Sequence, residues 1–245
     1  MASDGPTILA TSGGTRHGAR TELELAPLVR YALELAGVDG RAPRLCHVGT
    51  AGGDRASYNA ALSEAGRVAG VRVSHLNVFP MPNVADVSGF LREHDAVWVS
   101  GGSVVNLLAL WRIHGVDVAM RDALDAGVVL AGSSAGSICW HSGGTTDSFG
   151  PELRVVTDGL GFLGHSNGVH HDSEPARRPL FEAAVASGRL AAGFATDDGV
   201  GLLYRDGALA EVVAEVAGAA AYHAARVGDR AVTERLEPRL LPDPA

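Results

Sequence analysis

Apolar and polar residues alternate along the first half of the chain in a pattern typical of strands followed by helices. Short apolar runs predict buried strands, and longer segments with apolar residues three or four positions apart predict helices. The predicted strands are 7–11, 44–49, 71–78, 96–100 and 128–131. The predicted helices are 23–36, 57–69, 87–93, 106–114 and 118–125. This alternation favours an α/β fold with a doubly wound, mostly parallel sheet and right-handed crossovers.

Beyond residue 150 the pattern weakens. Strands are predicted at 194–196 and 201–204, and Asp206-Gly207 predicts a tight turn that leads into a further strand at 209–213. The sequence therefore predicts a β-hairpin region in the C-terminal part.

Two other C-terminal segments complete the prediction. Residues 216–226 are rich in alanine, which favours a helix, yet Tyr222, Ala224 and Arg226 also fit the alternation of an edge strand, so both interpretations stay open. Residues 238–245 predict a frayed tail. Because no repeat or linker divides the sequence, we expect one domain over residues 1–245.

The strand at 128–131 runs directly into Gly132-Ser133-Ser134-Ala135-Gly136. Gly132-x-Ser134-x-Gly136 fits a nucleophile elbow, in which flanking glycines allow a sharp turn that lifts the serine hydroxyl above the sheet edge. The turn also aims the Ala135 N–H at any oxyanion formed there, and a helix start adds its positive dipole end. The alternative is a strand-to-helix turn without chemistry. Ser134 is the candidate nucleophile because it occupies the centre of the motif.

A serine hydroxyl needs a base, and histidine is the usual one at neutral pH. Among ten histidines, a cluster lies between His165 and Asp172, in a predicted loop at a strand end. His141 is predicted to lie in a helix after the elbow and to point along another axis. Zinc binding by His170, His171 and Asp172 is an alternative, although adjacent residues rarely ligate one metal well.

The carboxylate that would orient the histidine has two candidate positions. Asp197-Asp198 stands before Gly199 at a predicted strand–loop junction, and Asp147 follows the elbow helix. Two neighbouring acids cannot both face inward, so at most one of Asp197 and Asp198 takes this role.

Composition excludes several classes of function. With 28 acidic and 20 basic side chains, the 245 residues carry a formal charge of −8, which argues against nucleic acid or an anionic membrane as partner. Every basic residue is arginine, so a Schiff-base lysine, a Ser-Lys dyad and a Walker lysine are all excluded. The two cysteines, Cys46 and Cys139, make no disulfide framework.

Localisation follows from what the sequence lacks. No apolar run approaches the roughly 18 residues of a membrane span. Residues 1–6 contain neither the basic nor the apolar region of a secretory signal, so we expect a cytoplasmic protein without membrane contact.

Four blocks, in order, resemble the peptidase E (aspartyl dipeptidase) family of serine peptidases, relatives of cyanophycinase with a fold similar to class I glutamine amidotransferases. The blocks are residues 99–108, 132–136, 169–172 and 197–199. The resemblance implies that Ser134 is the nucleophile and His170 its base, with His171 in the place of an aromatic residue.

The same resemblance implies an oxyanion hole and a third triad member. Gly101-Gly102 matches the family's glycine pair, where the Gly102 N–H joins that of Ala135. The family's acid has been placed at positions that match Asp198 and Asp147. We favour Asp198, which leaves a strand end beside the histidine loop, although the family has glutamate at that turn.

Substrate and assembly are further implications of the resemblance. The family's dipeptidases recognise an N-terminal aspartate through an arginine beyond the histidine loop, where this chain has Arg177 and Arg178, and a solvated helix start is an equal alternative for both. We expect a serine peptidase for short peptides, a dipeptidase or aminopeptidase-like enzyme with Asp-X specificity as one option. It would use an acyl-enzyme, no metal or organic cofactor, and a homodimeric assembly. The alternatives are a cyanophycinase-like or other amide hydrolase, and a non-catalytic amidotransferase-like binding domain.

Overall fold

The computed structural model describes residues 5–243. Residues 1–4, part of the stretch without a recognisable signal, and 244–245, the end of the predicted frayed tail, lie outside this range. Within it, no helix is long and apolar enough to cross a membrane.

Sixteen strands and seven α-helices make up the described chain. The strands are β1 Thr7–Thr11, β2 Thr15–Arg16, β3 Glu24–Leu25, β4 Arg44–Val48, β5 Arg72–Leu76, β6 Ala96–Val99, β7 Val129–Ser133, β8 His141–Thr146, β9 Arg154–Val156, β10 Leu163–Gly168, β11 Gly193–Thr196, β12 Val200–Arg205, β13 Ala208–Ala214, β14 Ala221–Val227, β15 Arg230–Leu236 and β16 Arg239–Leu240. The helices are α1 Pro27–Leu35, α2 Ala56–Val68, α3 Val87–Arg92, α4 Val104–His114, α5 Val116–Asp125, α6 Ala135–Ile138 and α7 Arg177–Ala186.

An eight-stranded sheet holds the five strands predicted in the first half together with three C-terminal strands, in the order β16-β13-β12-β1-β7-β6-β4-β5, and β2 and β3 pair separately. Five neighbouring strands of this sheet, β1, β7, β6, β4 and β5, are parallel to one another. The β12–β13 hairpin extends the sheet at its β1 edge, with β12 antiparallel to β1. Helices cover both faces, so β6 and β7 are apolar and almost wholly buried. The prediction of an α/β fold with a mostly parallel sheet is confirmed.

A second, six-stranded sheet in the order β15-β14-β11-β10-β8-β9 was not foreseen from the sequence. Its strands β8 and β10 are rich in glycine, histidine and serine, so they lack the apolar runs that identified the first sheet, whereas β11 coincides with the strand predicted at 194–196. The two sheets share one core cluster, since Val97 and Leu130 of the first belong to the same buried cluster as Leu163 and Phe194 of the second.

Several boundaries differ from the sequence predictions. Helix α1 begins at Pro27 rather than at residue 23, because residues 24–25 pair with β2. The elbow helix α6 has only four residues, and His141 lies in β8, not in a helix.

The C-terminal part is also more ordered than predicted. Residues 221–227 form a strand rather than a helix, and this strand lies between β11 and β15 rather than at an edge. The predicted tail contains β16, which pairs with β13, and Asp243 forms an ion pair with Arg16. Tertiary pairing of the tail therefore overrides its local tendency to fray.

Candidate active site

Ser134 stands at the sharp turn between β7 and α6, with φ 57° and ψ −111°, a region that non-glycine residues rarely adopt. The flanking glycines are required sterically. A Cβ at Gly136 would lie 2.1 Å from the Val99 carbonyl oxygen, and one at Gly132 would lie 2.5 Å from the Gly136 carbonyl oxygen. The elbow thus packs directly on β6, and the strained serine is held at the carboxyl edge of the sheet.

His170 faces this serine. Its Nε2 is 3.0 Å from Ser134 Oγ, and its Nδ1 is 2.5 Å from Asp198 Oδ1. A carboxylate can only accept, so Nδ1 carries the proton in this arrangement and Nε2 of the neutral ring is left to accept from the serine hydroxyl. The three side chains form a continuous hydrogen-bonded line from the serine hydroxyl through the imidazole to the carboxylate.

His170 lies just after a strand of the second sheet. Strand β10 ends at Gly168, and the chain then turns at His170 with φ 55°. The backbone is fixed on both sides of the turn, because His170 N–H donates to Ser12 Oγ (3.4 Å) and the next residue's N–H donates to the Thr196 carbonyl (3.0 Å).

The two neighbouring aspartates face different surroundings. Asp198 contacts His170, and its own N–H donates to Asp172 Oδ1 (2.9 Å). Asp197 turns toward the second sheet, where its Oδ2 accepts from the Ala220 N–H (2.9 Å), and burial raises the pKa of its carboxyl group. Asp147 lies in the same pocket as Ser134, but its carboxylate is near Arg177 (3.8 Å) rather than His170.

The Gly101-Gly102 loop lies against the elbow. A Cβ at Gly101 would be 3.2 Å from the Ser134 Cβ. Gly102 has φ 136°, and a Cβ there would lie 2.3 Å from the Ala51 carbonyl oxygen, so only glycine fits. The following residue, Ser103, caps α4 by accepting from the Asn106 N–H (3.2 Å). The loop is thereby fixed between β6 and α4 beside the serine.

The pocket around Ser134 has a volume of about 260 Å³. It is lined by Gly102, Ser103, Ser134, Asp147, Ser148, His170, Glu174 and Arg177. Arg177 is buried, and Glu174 holds its Nε (2.8 Å) and Nη2 (3.2 Å) while its Nη1 donates to the Thr145 carbonyl (2.9 Å). Arg178 does not line this pocket and pairs instead with Glu182 (3.1 Å).

Glu174 is a site residue that the sequence reasoning did not single out. The signal was available, because Glu174 and Arg177 are separated by three positions at a helix start, the spacing of an intrahelical ion pair. Its consequence is that the guanidinium in the pocket is already neutralised by a carboxylate.

The cluster His170-His171-Asp172 does not converge on one point. His171 packs its ring against Tyr222 (centroids 4.9 Å apart) and Phe181, as an aromatic residue would, and burial lowers its pKa to about 4. Asp172 binds the Asp198 backbone. Across residues 5–243, histidine, cysteine, aspartate and glutamate side chains form no group of three that could hold a metal ion.

Comparisons with known proteins identify the family of this chain. Residues 8–212 match the model of peptidase family S51. The uncharacterized peptidase YgaJ of Bacillus subtilis (strain 168) is 37% identical over 215 residues, which cover 88% of this chain and 90% of that protein.

Two crystal structures share the fold at low sequence identity. One is a peptidase from an acI-B1 Actinobacterium, with a TM-score of 0.64 at 14% identity, covering 97% of this chain and 96% of that one. The other is a putative peptidase E protein from Listeria monocytogenes EGD-e, with a TM-score of 0.58 at 15% identity, covering 95% of this chain and 100% of that one. The family match spans most of the chain, and we conclude that this protein is a peptidase that belongs to family S51.

Proposed function

We propose that this chain is a serine peptidase that hydrolyses short peptides through a Ser134-His170-Asp198 triad. The observation that carries the proposal is the hydrogen-bonded line in which His170 Nε2 lies 3.0 Å from Ser134 Oγ and Nδ1 lies 2.5 Å from Asp198 Oδ1. A nucleophile, a base and an orienting carboxylate in this order are what acyl transfer requires.

The reaction proceeds in two steps. His170 takes the proton of Ser134 as its oxygen attacks the scissile carbonyl, and the backbone N–H groups of Gly102 and Ala135 stabilise the oxyanion. The imidazolium then protonates the leaving amine, which departs and leaves an acyl-serine. Water, deprotonated by His170, attacks this ester and releases the acid, which restores the free hydroxyl.

The pocket supports a substrate with a free amino terminus. Two carboxylates, Asp147 and Glu174, line it, and its one arginine is paired with Glu174. The net negative charge fits an α-ammonium group better than an acidic side chain. A pocket of about 260 Å³ fits a small part of a peptide, so a dipeptidase or aminopeptidase-like activity follows more readily than cleavage of folded proteins.

The test is Ser134→Ala assayed on a panel of dipeptides, aminoacyl p-nitroanilides and a branched aspartyl-arginine polymer. We expect the wild-type protein to cleave one of the two short classes and the variant to lose on the order of 10⁴-fold or more in kcat, with an unchanged unfolding temperature. A fluorophosphonate probe should label the wild type at Ser134 only.

Other outcomes would replace the proposal. Cleavage of the polymer alone would identify a different amide hydrolase. Full peptidase activity in Ser134→Ala would place the nucleophile elsewhere, and absence of both labelling and turnover would favour a binding domain.

A further inference from the structure

A second pocket adjoins the active-site pocket at the Gly101-Gly102 loop. It has a volume of about 110 Å³, and its lining includes His47, Arg55, Tyr58, Asn59, Ser100 and Gly101. We call it the Arg55 pocket. A Cβ built at Gly101 would lie 3.7 Å from Ser134 Oγ. The lining of the Arg55 pocket therefore reaches the side of the proposed nucleophile.

The floor of the Arg55 pocket is a fixed, neutral polar network. His47 Nε2 lies 2.8 Å from Ser100 Oγ, and His47 Nδ1 lies 3.1 Å from Nδ1 of His75. His75 Nε2 in turn lies 2.8 Å from Ser63 Oγ. Burial lowers the pKa of His47 to about 3 and also lowers that of His75, so neither ring carries charge near neutral pH.

Arg55 is the charged group of this pocket. Among residues 5–243, no carboxylate lies within 4.0 Å of its guanidinium. The adjacent Asp54 is engaged elsewhere, since its Oδ2 accepts from the N–H groups of Val78 (2.5 Å) and Phe79 (3.0 Å). Arg55 also stands at the start of the 13-residue helix α2, whose positive dipole end adds to its charge.

Asn59 provides an independent sign that the pocket binds a ligand. The residue is only 9% exposed, and its Nδ2 donates to Asn77, but its buried Oδ1 makes no hydrogen bond of normal geometry in the described chain, because both nitrogens of the neighbouring His47 ring are engaged by Ser100 and His75. A buried amide oxygen without a donor is destabilising. A polar ligand that brings an N–H group would satisfy it.

The two adjoining pockets carry opposite charge. The active-site pocket has two carboxylates and one paired arginine, whereas the Arg55 pocket has an arginine and no acid. A dipeptide zwitterion has the same polarity, with an ammonium group at one end and a carboxylate about two residues, roughly 7 Å, away.

We propose that the Arg55 pocket is the leaving-group subsite, which binds the free C-terminal carboxylate of a dipeptide substrate through Arg55 and the peptide's polar groups through Ser100 and Asn59. This inference rests on the proposed peptidase function and specifies its substrate class as unblocked dipeptides. It makes Arg55 a specificity-determining residue.

The experiment compares Ala-Leu with Ala-Leu-amide, which differ only in the carboxylate. Arg55→Gln should lower kcat/KM for Ala-Leu about tenfold, the size of one charge-assisted hydrogen bond, and leave Ala-Leu-amide unchanged. Arg55→Lys should restore part of the loss. Arg92→Gln, an exposed arginine of α3 that lines neither pocket, is the matched control and should change neither substrate.

Binding measured by calorimetry in the Ser134→Ala background separates this inference from the proposed function. Tighter binding of Ala-Leu than of its amide, abolished by Arg55→Gln, supports the subsite even if turnover of these peptides is slow. Equal effects of Arg55→Gln on both peptides, no effect on either, or no binding of Ala-Leu would overturn the subsite. Loss of activity in Ser134→Ala alone would still support the triad.

Discussion

Ser134 and His170 are both held in the left-handed region of backbone space, with φ of 57° and 55°. For residues with a Cβ this conformation is unfavourable by about 1–3 kcal/mol, so surrounding contacts must enforce it. The Val99 carbonyl beneath Gly136 does so at the elbow, and Ser12 and Thr196 do so at the histidine. Strain at both reacting residues indicates that the geometry between Oγ and Nε2 is preorganised.

The third triad member can be tested by isosteric amides. Asp198→Asn should lower kcat on the order of 10³–10⁴-fold, because the amide favours the wrong His170 tautomer. Asp147→Asn makes the same isosteric change in the pocket around Ser134 but near Arg177, so it should leave kcat within a few-fold and raise KM for substrates with a free amino terminus. Steady-state kinetics on both variants decides; a collapse of kcat in Asp147→Asn with normal kcat in Asp198→Asn would exchange the two roles.

Gly102→Ala tests the oxyanion loop. The new Cβ would meet the Ala51 carbonyl at 2.3 Å, so the loop must shift and the Gly102 N–H with it. We expect kcat to fall about 10²-fold or more. Gly150→Ala is the matched control, since Gly150 has nearly the same φ, 134°, but no atom within 4 Å of the added Cβ. Equal activity of the two variants would mean that the Gly102 N–H does not stabilise the oxyanion.

At the scale of elements, the proposed nucleophile Ser134 follows a strand of the first sheet and the proposed base His170 follows a strand of the second, so contacts between these two parts of the fold set the distance between them. Ser137 of α6 donates to Asn167 Oδ1 of β10 (2.9 Å), and the Asn167 amide donates to the Phe194 carbonyl (3.2 Å). Nearby, His141 of β8 bonds the Tyr204 hydroxyl of β12 (3.1 Å). The side chains of Ser137, Asn167, His141 and Tyr204 are fully buried, so these bonds hold the second sheet against α6 and against β12 of the first sheet.

Asn167→Ala should therefore destabilise the protein and reduce activity together. It leaves the Ser137 hydroxyl and the Phe194 carbonyl buried without these partners, an effect of about 2–3 kcal/mol on the free energy of unfolding. Urea denaturation measures the loss, and Asn106→Ala, an exposed position of α4, serves as the control. A loss below about 0.5 kcal/mol would mean that the Asn167 hydrogen bonds to Ser137 and to the Phe194 carbonyl contribute little to stability.

At the scale of the whole molecule, burial lowers the pKa of five histidines: His47, His75, His94, His141 and His171. Burial lowers the pKa of His47 to about 3, and those of His141 and His171 to about 4. Below the ordinary histidine pKa of about 6.5, the unfolded chain binds protons at these positions while the folded chain does not. The contribution of these histidines to the free energy of unfolding is thus fully present above pH 6.5 and is lost as the pH falls toward 4.

Between pH 7 and 5.5, each of the three histidines with the largest pKa shifts should remove about 1 kcal/mol from the free energy of unfolding. His141→Gln should reduce the total fall by about that amount, because it removes one titrating group from the core. His17→Gln, at an exposed position, should leave the pH dependence as in the wild type. Urea denaturation at the two pH values measures the fall in the free energy of unfolding. Asp54, Asp197 and Glu215, whose pKa values burial raises, oppose the trend. A flat profile would contradict the prediction.

Local sequence sufficed where one physical signal dominated. Apolar strands such as 96–100 and 128–131 are buried on both faces, so their composition alone predicted the parallel sheet. The glycines around Ser134 predicted the elbow, because no other residue permits so close an approach of backbone to β6. By the same logic, Asp206-Gly207 correctly predicted the β12–β13 hairpin.

Tertiary structure alone decided the rest, because the remaining choices depend on which distant groups meet. Strands β8 and β10 of the second sheet are polar and glycine-rich, and their pairing, not their composition, makes them strands. Pairing with β11 and β15 likewise made 221–227 a strand, and pairing with β13 in the first sheet ordered the tail at β16. Which acid stands behind His170, Asp198 or Asp147, depends on contacts between residues about 28 positions apart. Glu174 pairs with Arg177, and the second carboxylate, Asp147, leaves the pocket with a net negative charge, a property of three-dimensional charge balance that no single motif contains.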